Sequence, residues 1–184
     1  MNTLQNKICR IGFTSTQSCG KSTLVKALAE LPEFTNFHIS TERSKYLRDL
    51  GIKLNGSSDV YGQVIFLSER LNELQNDLLI SDRSILDVMS FTSLSTEISE
   101  QDKNRFEVFA APFIKQYDYI FYISPDGMDL EDNSVRDTDP EFRAAVDNKI
   151  KHYLDYYGFN IKNFKQISGT VEERIAEVLQ TVKF

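Results

Sequence analysis

Apolar residues in this chain follow two rhythms that alternate from one end to the other. Short unbroken runs read as buried strands, and longer stretches with apolar side chains every third or fourth position read as helices. "KICRIGFT" predicts a first strand, and "KSTLVKALAEL" a helix with Leu24, Leu28 and Leu31 about a turn apart, ended by Pro32. "FHIS" is a short second strand. Thr41 is placed to cap a helix through "ERSKYLRDL", which Gly51 closes. A long helix is expected from about Asp59 to Asp77, with Val60, Val64, Leu67, Leu71 and Leu74 on its buried face. "LLISD" is a third strand, and "SILDVMSFTSL" and "KNRFEVFAAPFIKQY" are helical, the latter with a kink expected at Pro112.

"YDYIFYIS" is a fourth strand. The stretch 125–139, "PDGMDLEDNSVRDTD", has no apolar periodicity and reads as an acidic, lid-like loop, and loops of that length inside a compact domain are usually functional or disordered. Asp139-Pro140-Glu141 starts another helix, with Phe142, Val146, Ile150, Tyr153 and Tyr157 as its buried stripe. "FKQIS" is a weak fifth strand, and Thr170 with Glu173 forms a capping box for "VEERIAEVLQTV". Strands alternating with helices predict an α/β fold with a mostly parallel sheet covered on both faces, in one domain over 1–184. Ligands of such sheets bind at the carboxyl ends of the strands, here Thr14–Ser15, Ser40–Thr41, Asp82 and Ser124.

The first strand runs into "STQSCGKST". The pattern G-x-x-x-x-G-K-[ST] is met at Gly20, Lys21 and Ser22, with Ser15 where the first glycine belongs, and a strand before and a helix after complete its context. Main-chain N–H groups from about Gln17 to Thr23, through Ser18, Cys19 and Gly20, would converge on an anion at the positive end of a helix dipole. Lys21 should reach β and γ phosphates, and the Ser22 hydroxyl should ligate Mg²⁺. A cation in a helix's first turn opposes the dipole, so Lys21 calls for an anion beside it. Ser15 implies either that the first loop residue needs no positive φ or that serine tolerates one at modest cost.

Asp82 ends the third strand as a Walker-B-type carboxylate does, placed to hold Mg²⁺ or to accept the proton of an attacking hydroxyl, and Arg83 could clamp an anion. Taken alone, Asp82 would read as a cap for the "SILDVM" helix. Glu42 and Arg43 open the helix after the second strand as candidate acceptor contacts, with a solvated charged turn the competing reading. Arg136, in the acidic loop, is the candidate to neutralise charge on the transferred group, against an internal ion pair with Asp132, Asp137 or Asp139, and Arg143 follows on the next helix. His38 and His152 have no metal-ligand spacing and read as structural.

Composition narrows the class. Apolar residues at 41% and charged ones at 26% give a globular balance rather than a disordered one. The net charge of −6 disfavours a broad nucleic-acid footprint, though a few local arginines can still hold a small anion. Two cysteines are too few for a disulfide framework, and no run has the length for a signal peptide or membrane span, so a cytoplasmic location is expected.

Together "STQSCGKSTL", "ERSKYLR", "LLISDRSILD", "YDYIFYIS", "DLEDNSVRDTD" and "ISGTVEERIAEVL" resemble the P-loop kinase/ATPase family, which includes the nicotinamide-riboside kinase domain and the nucleoside and thymidylate-like nucleotide kinases. The resemblance implies a three-layer α/β/α sandwich on a five-stranded parallel sheet, ATP with Mg²⁺ as donor, and a small nucleoside-like acceptor. By position it implies Lys21 and Ser22 on ATP and Mg²⁺, Asp82 near the acceptor hydroxyl, and Arg136 in the lid. The lid is short and acidic where many nucleotide kinases are arginine-rich. Two alternatives share the loop: a kinase acting on a nucleic-acid hydroxyl, and a regulatory P-loop NTPase. Against the second, "NKIK" at 148–151 lacks the aspartate of a guanine-reading motif.

Overall fold

The computed structural model describes residues 8–41, 43–128 and 139–183. Five strands, β1 (Cys9–Thr14), β2 (His38–Ser40), β3 (Leu78–Ser81), β4 (Tyr119–Ile123) and β5 (Phe164–Ile167), form one parallel sheet in the order β2-β3-β1-β4-β5. The helices between them are α1 (Lys21–Ala29), α2 (Ser44–Asp49), α3 (Val60–Glu73), α4 (Ile85–Leu94), α5 (Glu100–Ala110) and α6 (Pro140–Tyr157), with α7 (Val171–Thr181) after β5. Parallel neighbours need such crossovers, so every strand points the same way and every carboxyl end opens on one edge.

Alternation along the strands divides the core. Ile11, Phe13, Ile80, Phe121 and Ile123 face α1 and α7, with Leu24, Leu28 and Val178. Leu79, Ile120 and Tyr122 face the other way, against α3 to α6, with Ile85, Met89, Ile150 and Tyr153. These are the two outer layers of an α/β/α sandwich. In the central strand, Gly12 has no room for a side chain: a Cβ there would stand 2.9 Å from the buried Tyr117 ring.

Local chemistry sets the helix starts. Ser84 and Asp87 make a capping box on α4, and Thr170 and Glu173 the expected one on α7. Asp139 accepts from the Glu141 N–H at the start of α6. Gly20 precedes α1 with no side-chain cap, which leaves the first-turn N–H groups of that helix without a capping oxygen.

Three expectations change. Thr41 does not cap α2, which begins at Ser44 after Arg43 with no side-chain cap. The expected kink at Pro112 is an end: α5 stops at Ala110, and Pro112 lies in a 3₁₀ segment over Ala111–Gln116. The third concerns α3, which closes at Glu73 and leaves Val60 and Val64 40% and 46% exposed. Its inward face carries Gln63, Leu67, Arg70 and Glu73. Gln63 Nε2 donates to Ser58 Oγ, Gln63 Oε1 accepts from Thr92, and Arg70 pairs with Glu73. Apolar periodicity places Leu67, Leu71 and Leu74 correctly but misreads the first turns, because hydrogen-bonded polar side chains share the buried side with the leucines.

Candidate active site

The loop from Ser15 to Gly20 bends through two left-handed residues, Ser18 at φ 56° and Gly20 at φ 69°, while Ser15 keeps out of that region. The serine in place of glycine therefore carries no strain of that kind, and its hydroxyl has a use. Lys21 Nζ donates to Ser15 Oγ and to the Ser15 carbonyl, both at 2.7 Å, and to the Thr16 carbonyl at 3.0 Å. A glycine could supply only the carbonyl. The Cys19 thiol donates to the Gln17 carbonyl, and the Thr16 hydroxyl lies 2.7 Å from Gln17 Oε1, so the loop is also tied to itself. Ser22 is partly exposed and Thr23 exposed in the first turn of α1.

Lys21 is buried, and burial pushes its ammonium below the ordinary lysine value. Asp87 opposes that shift from 3.9 Å, Arg83 adds to it, and Asp82 acts in the same sense as Asp87. Asp87 is fully buried on the first turn of α4. It accepts from the Ser15 N–H at 3.4 Å, and from the Ser84 N–H and hydroxyl at 2.9 and 3.1 Å. One carboxylate thus caps α4, anchors the Ser15–Gly20 loop and faces its lysine. Asp87 is not among the candidates that the sequence points to. The signal was there in "SILD", a capping-box spacing directly after Asp82-Arg83.

Asp82 is buried at the end of β3, with its N–H on the Ser40 carbonyl of β2. The turn that follows is braced from α3: Arg70 Nη1 donates to the Arg83 carbonyl at 3.4 Å, and Ser81 Oγ reaches that carbonyl and Glu73 Oε2. Arg83 itself lies over the Phe91 ring at 5.3 Å. It lines a cleft of about 30 Å³ with Ser44, Asn55, Gln63, Phe66 and Phe91. That volume is well below the roughly 300–1,000 Å³ of typical ligand pockets. The start of α2 bounds the cleft on one side, at Ser44.

Lys21, Asp82, Arg83 and the unforeseen Asp87 come together. Arg43 does not join them: it is half exposed, pairs with Glu69 at 3.2 Å and covers the Tyr46 ring. Glu42 and Arg136 lie outside the described residues, as does most of the lid-like loop, 129–138. Two further arginines reach the loop from the other side. Arg143 Nη1 donates to the Met128 carbonyl, and its own carbonyl accepts from the Thr16 hydroxyl. Arg174, buried on α7, donates from Nη1 to the Cys19 carbonyl at 2.9 Å. No periodicity could have pointed to Arg174, because its partner is 155 residues away.

Among the described residues no three His, Cys, Asp or Glu side chains gather as a metal site. Mg²⁺ does not require one, since it keeps several waters and takes one or two protein oxygens beside a substrate's phosphates. A hydroxyl at Ser22 and a carboxylate at Asp82 fit that donor set. No helix among the described residues is long and apolar enough to cross a membrane.

A family model described as an AAA domain matches residues 10–174, from β1 into α7. The chain belongs to that family. A search of curated proteins by sequence gives no match. Among solved structures, this AAA-domain chain is similar to NadR protein in complex with NAD and AMP-PNP, with TM-score 0.73 and 14% identity over 97% of this chain and 51% of that one. NadR in complex with NR gives 0.70 and 14%, over 97% and 52%. Deoxyadenosine kinase from M. mycoides with bound dCTP gives 0.62 and 16%, over 93% and 97%. The chain therefore spans about half the length of NadR and nearly all of the deoxyadenosine kinase. At these identities the likeness is one of fold, and that fold is the P-loop NTPase sandwich.

Proposed function

We propose that this protein is an ATP-dependent phosphotransferase that moves the γ-phosphoryl group to a hydroxyl or phosphate of a nucleoside, nucleotide or related small molecule. The observation that carries this reading is the meeting of a buried lysine, on a loop with two left-handed residues, with an Asp-Arg pair at the end of the neighbouring strand β3. Two solved neighbours in fold hold AMP-PNP and dCTP, which supports a nucleotide at this loop. NR in another neighbour supports a nucleoside-like acceptor.

The roles follow from the chemistry of each side chain. Phosphate oxygens would replace the Ser15 and Thr16 carbonyls as acceptors for Lys21, giving its ammonium an anionic partner in a water-poor setting. The first-turn N–H groups of α1 would take the remaining phosphate oxygens. Ser22 and Asp82 would hold Mg²⁺, which supplies charge neutralisation on the phosphates. Asp82 is also placed to accept the acceptor's proton, and Arg83 to hold the acceptor at the cleft. Such a reaction needs little covalent help, so positioning and charge do most of the work. The cleft must widen to admit a nucleoside, and Ser44 at the start of α2 is part of its lining.

The segment Asn148–Lys151 lies within α6 rather than in a loop at the strand ends, which favours a kinase over a guanine-reading switch. The test is a thermal-shift screen of nucleosides, nucleotides and nicotinamide riboside with a non-hydrolysable ATP analogue present, followed by transfer assays with labelled ATP. A stabilising acceptor that becomes labelled is expected. ATP hydrolysis unaffected by every acceptor would refute the reading, and label entering DNA or RNA would move the acceptor class to nucleic acid.

A further inference from the structure

We infer that Arg174 is a positioning residue of the phosphate loop: it fixes the Cys19–Gly20 peptide so that the Gly20 N–H serves as an anion donor. The inference rests on the phosphate-loop reading above and extends it to the last helix of the chain. Arg174 is 2% exposed, and its Nη1 donates to the Cys19 carbonyl at 2.9 Å. That carbonyl and the Gly20 N–H belong to one peptide, and no peptide bond among the described residues is cis. In a trans peptide the two groups point in opposite directions. Holding the carbonyl toward α7 therefore turns the N–H away from it, into the bend. Among the described residues the Gly20 N–H has no hydrogen-bond partner of its own.

Gly20 is required on two counts. Its φ of 69° is the left-handed value that makes the bend. A Cβ there would also stand 3.3 Å from Arg174 Nη1, crowding the guanidinium that holds the neighbouring carbonyl.

The clamp stands on the capped first turn of α7. Arg174 directly follows Glu173, whose carboxylate closes the capping box with the Thr170 N–H at 2.8 Å. Its second nitrogen, Nη2, donates to Met128 Sδ at 3.6 Å, a second contact for the guanidinium. The apolar face of α7, with Val178 and Ile175, packs in the same core as Leu24 and Leu28 of α1. A charge held this way contributes without touching the nucleotide: it orients one donor and adds a buried cation behind the loop, both before any ligand arrives.

The experiment is calorimetric titration with Mg-ATP and, separately, with inorganic tripolyphosphate, on the wild-type chain, Arg174→Gln and Arg174→Lys. Each variant's fold is checked by thermal unfolding. Arg174→Gln is expected to weaken both ligands at least about tenfold, the scale of a lost charge-assisted hydrogen bond, and by the same factor. Arg174→Lys should fall between. The Gly20 amide resonance of the wild-type chain should move downfield when tripolyphosphate is added. Wild-type affinity for tripolyphosphate in a folded Arg174→Gln variant overturns the inference. So does loss confined to ATP, which would make Arg174 a contact of the base. If Arg174→Gln does not fold, the Gly20 resonance decides, and an unmoved signal overturns the inference. A wild-type chain that binds neither ligand sinks the phosphate-loop reading instead.

Discussion

Lys21 and Asp87 stand 3.9 Å apart with both side chains buried, yet neither spends its hydrogen bonds on the other. The lysine donates its hydrogen bonds to Ser15 and Thr16, and the carboxylate accepts from Ser15 and Ser84. Ser15 is the hinge between them. The arrangement stores an ammonium at short range from compensating charge while leaving it able to turn to a stronger anion.

Replacing Lys21 with alanine should therefore separate function from fold. Phosphoryl transfer is expected to fall by about 100-fold or more, the scale for loss of one preorganised electrostatic group. The fold should survive with a loss of about 1–3 kcal/mol, because the Ser15 and Thr16 carbonyls lose a donor and Asp87 loses its facing cation while a desolvated charge is removed. Steady-state kinetics beside urea unfolding checks both halves. A variant as active as the wild type would remove Lys21 from the mechanism.

A pH dependence follows from the same burial. The folded-state value of Lys21 is lowered below 10.5, so between the folded and unfolded values the unfolded chain binds more protons. This group's penalty is full below the folded value, and stability recovers as pH rises through it. Polyphosphate affinity runs the other way: it needs the ammonium, so it is complete below the folded value and is lost as pH climbs past it. Denaturation and ATP titrations from pH 7 upward, with Lys21→Met as the reference, isolate the two trends. The reference is needed because Tyr117, Tyr122, Tyr153 and Tyr157, all raised chiefly by burial, lower stability once the unfolded chain releases their protons. Equal slopes in wild type and variant would count against the assignment.

Asp87→Ala should be among the more damaging single changes in this region. It removes the α4 capping box, the Ser15 anchor and the charge facing Lys21, for a combined cost of about 2–3 kcal/mol. Asp87→Asn keeps the shape but offers an amide to donors, and should cost about 1–2 kcal/mol. Chemical denaturation reads the stability, and ATP titration should show a weakened loop in both variants. Full stability in Asp87→Ala would mean that the cluster is solvated in solution.

Arg83→Ala is expected to act on the acceptor and spare the nucleotide. Its guanidinium lies on Phe91 in the cleft, and the peptide behind it is held by Arg70 and Ser81. The KM for the acceptor should rise about tenfold or more, with ATP affinity within about twofold of wild type. The split between the two constants is the readout, and equal loss of both would place Arg83 on the phosphates.

Much of this protein is written in short-range pattern. Strand and helix order, the parallel sheet, the α7 capping box and the tight bend before α1 all follow from neighbours within about a turn or a strand, where apolar rhythm and backbone chemistry act locally. That Lys21 needed an anion was also local, since a first-turn cation opposes its helix. What the fold alone decided is long-range. Asp87 meets Ser15 across 72 residues, Arg174 meets Cys19 across 155, and α3 turns Gln63, Arg70 and Glu73 inward while two of its valines face water. Such pairings leave no periodic trace, because a buried polar group is stabilised by whichever partner the chain brings to it.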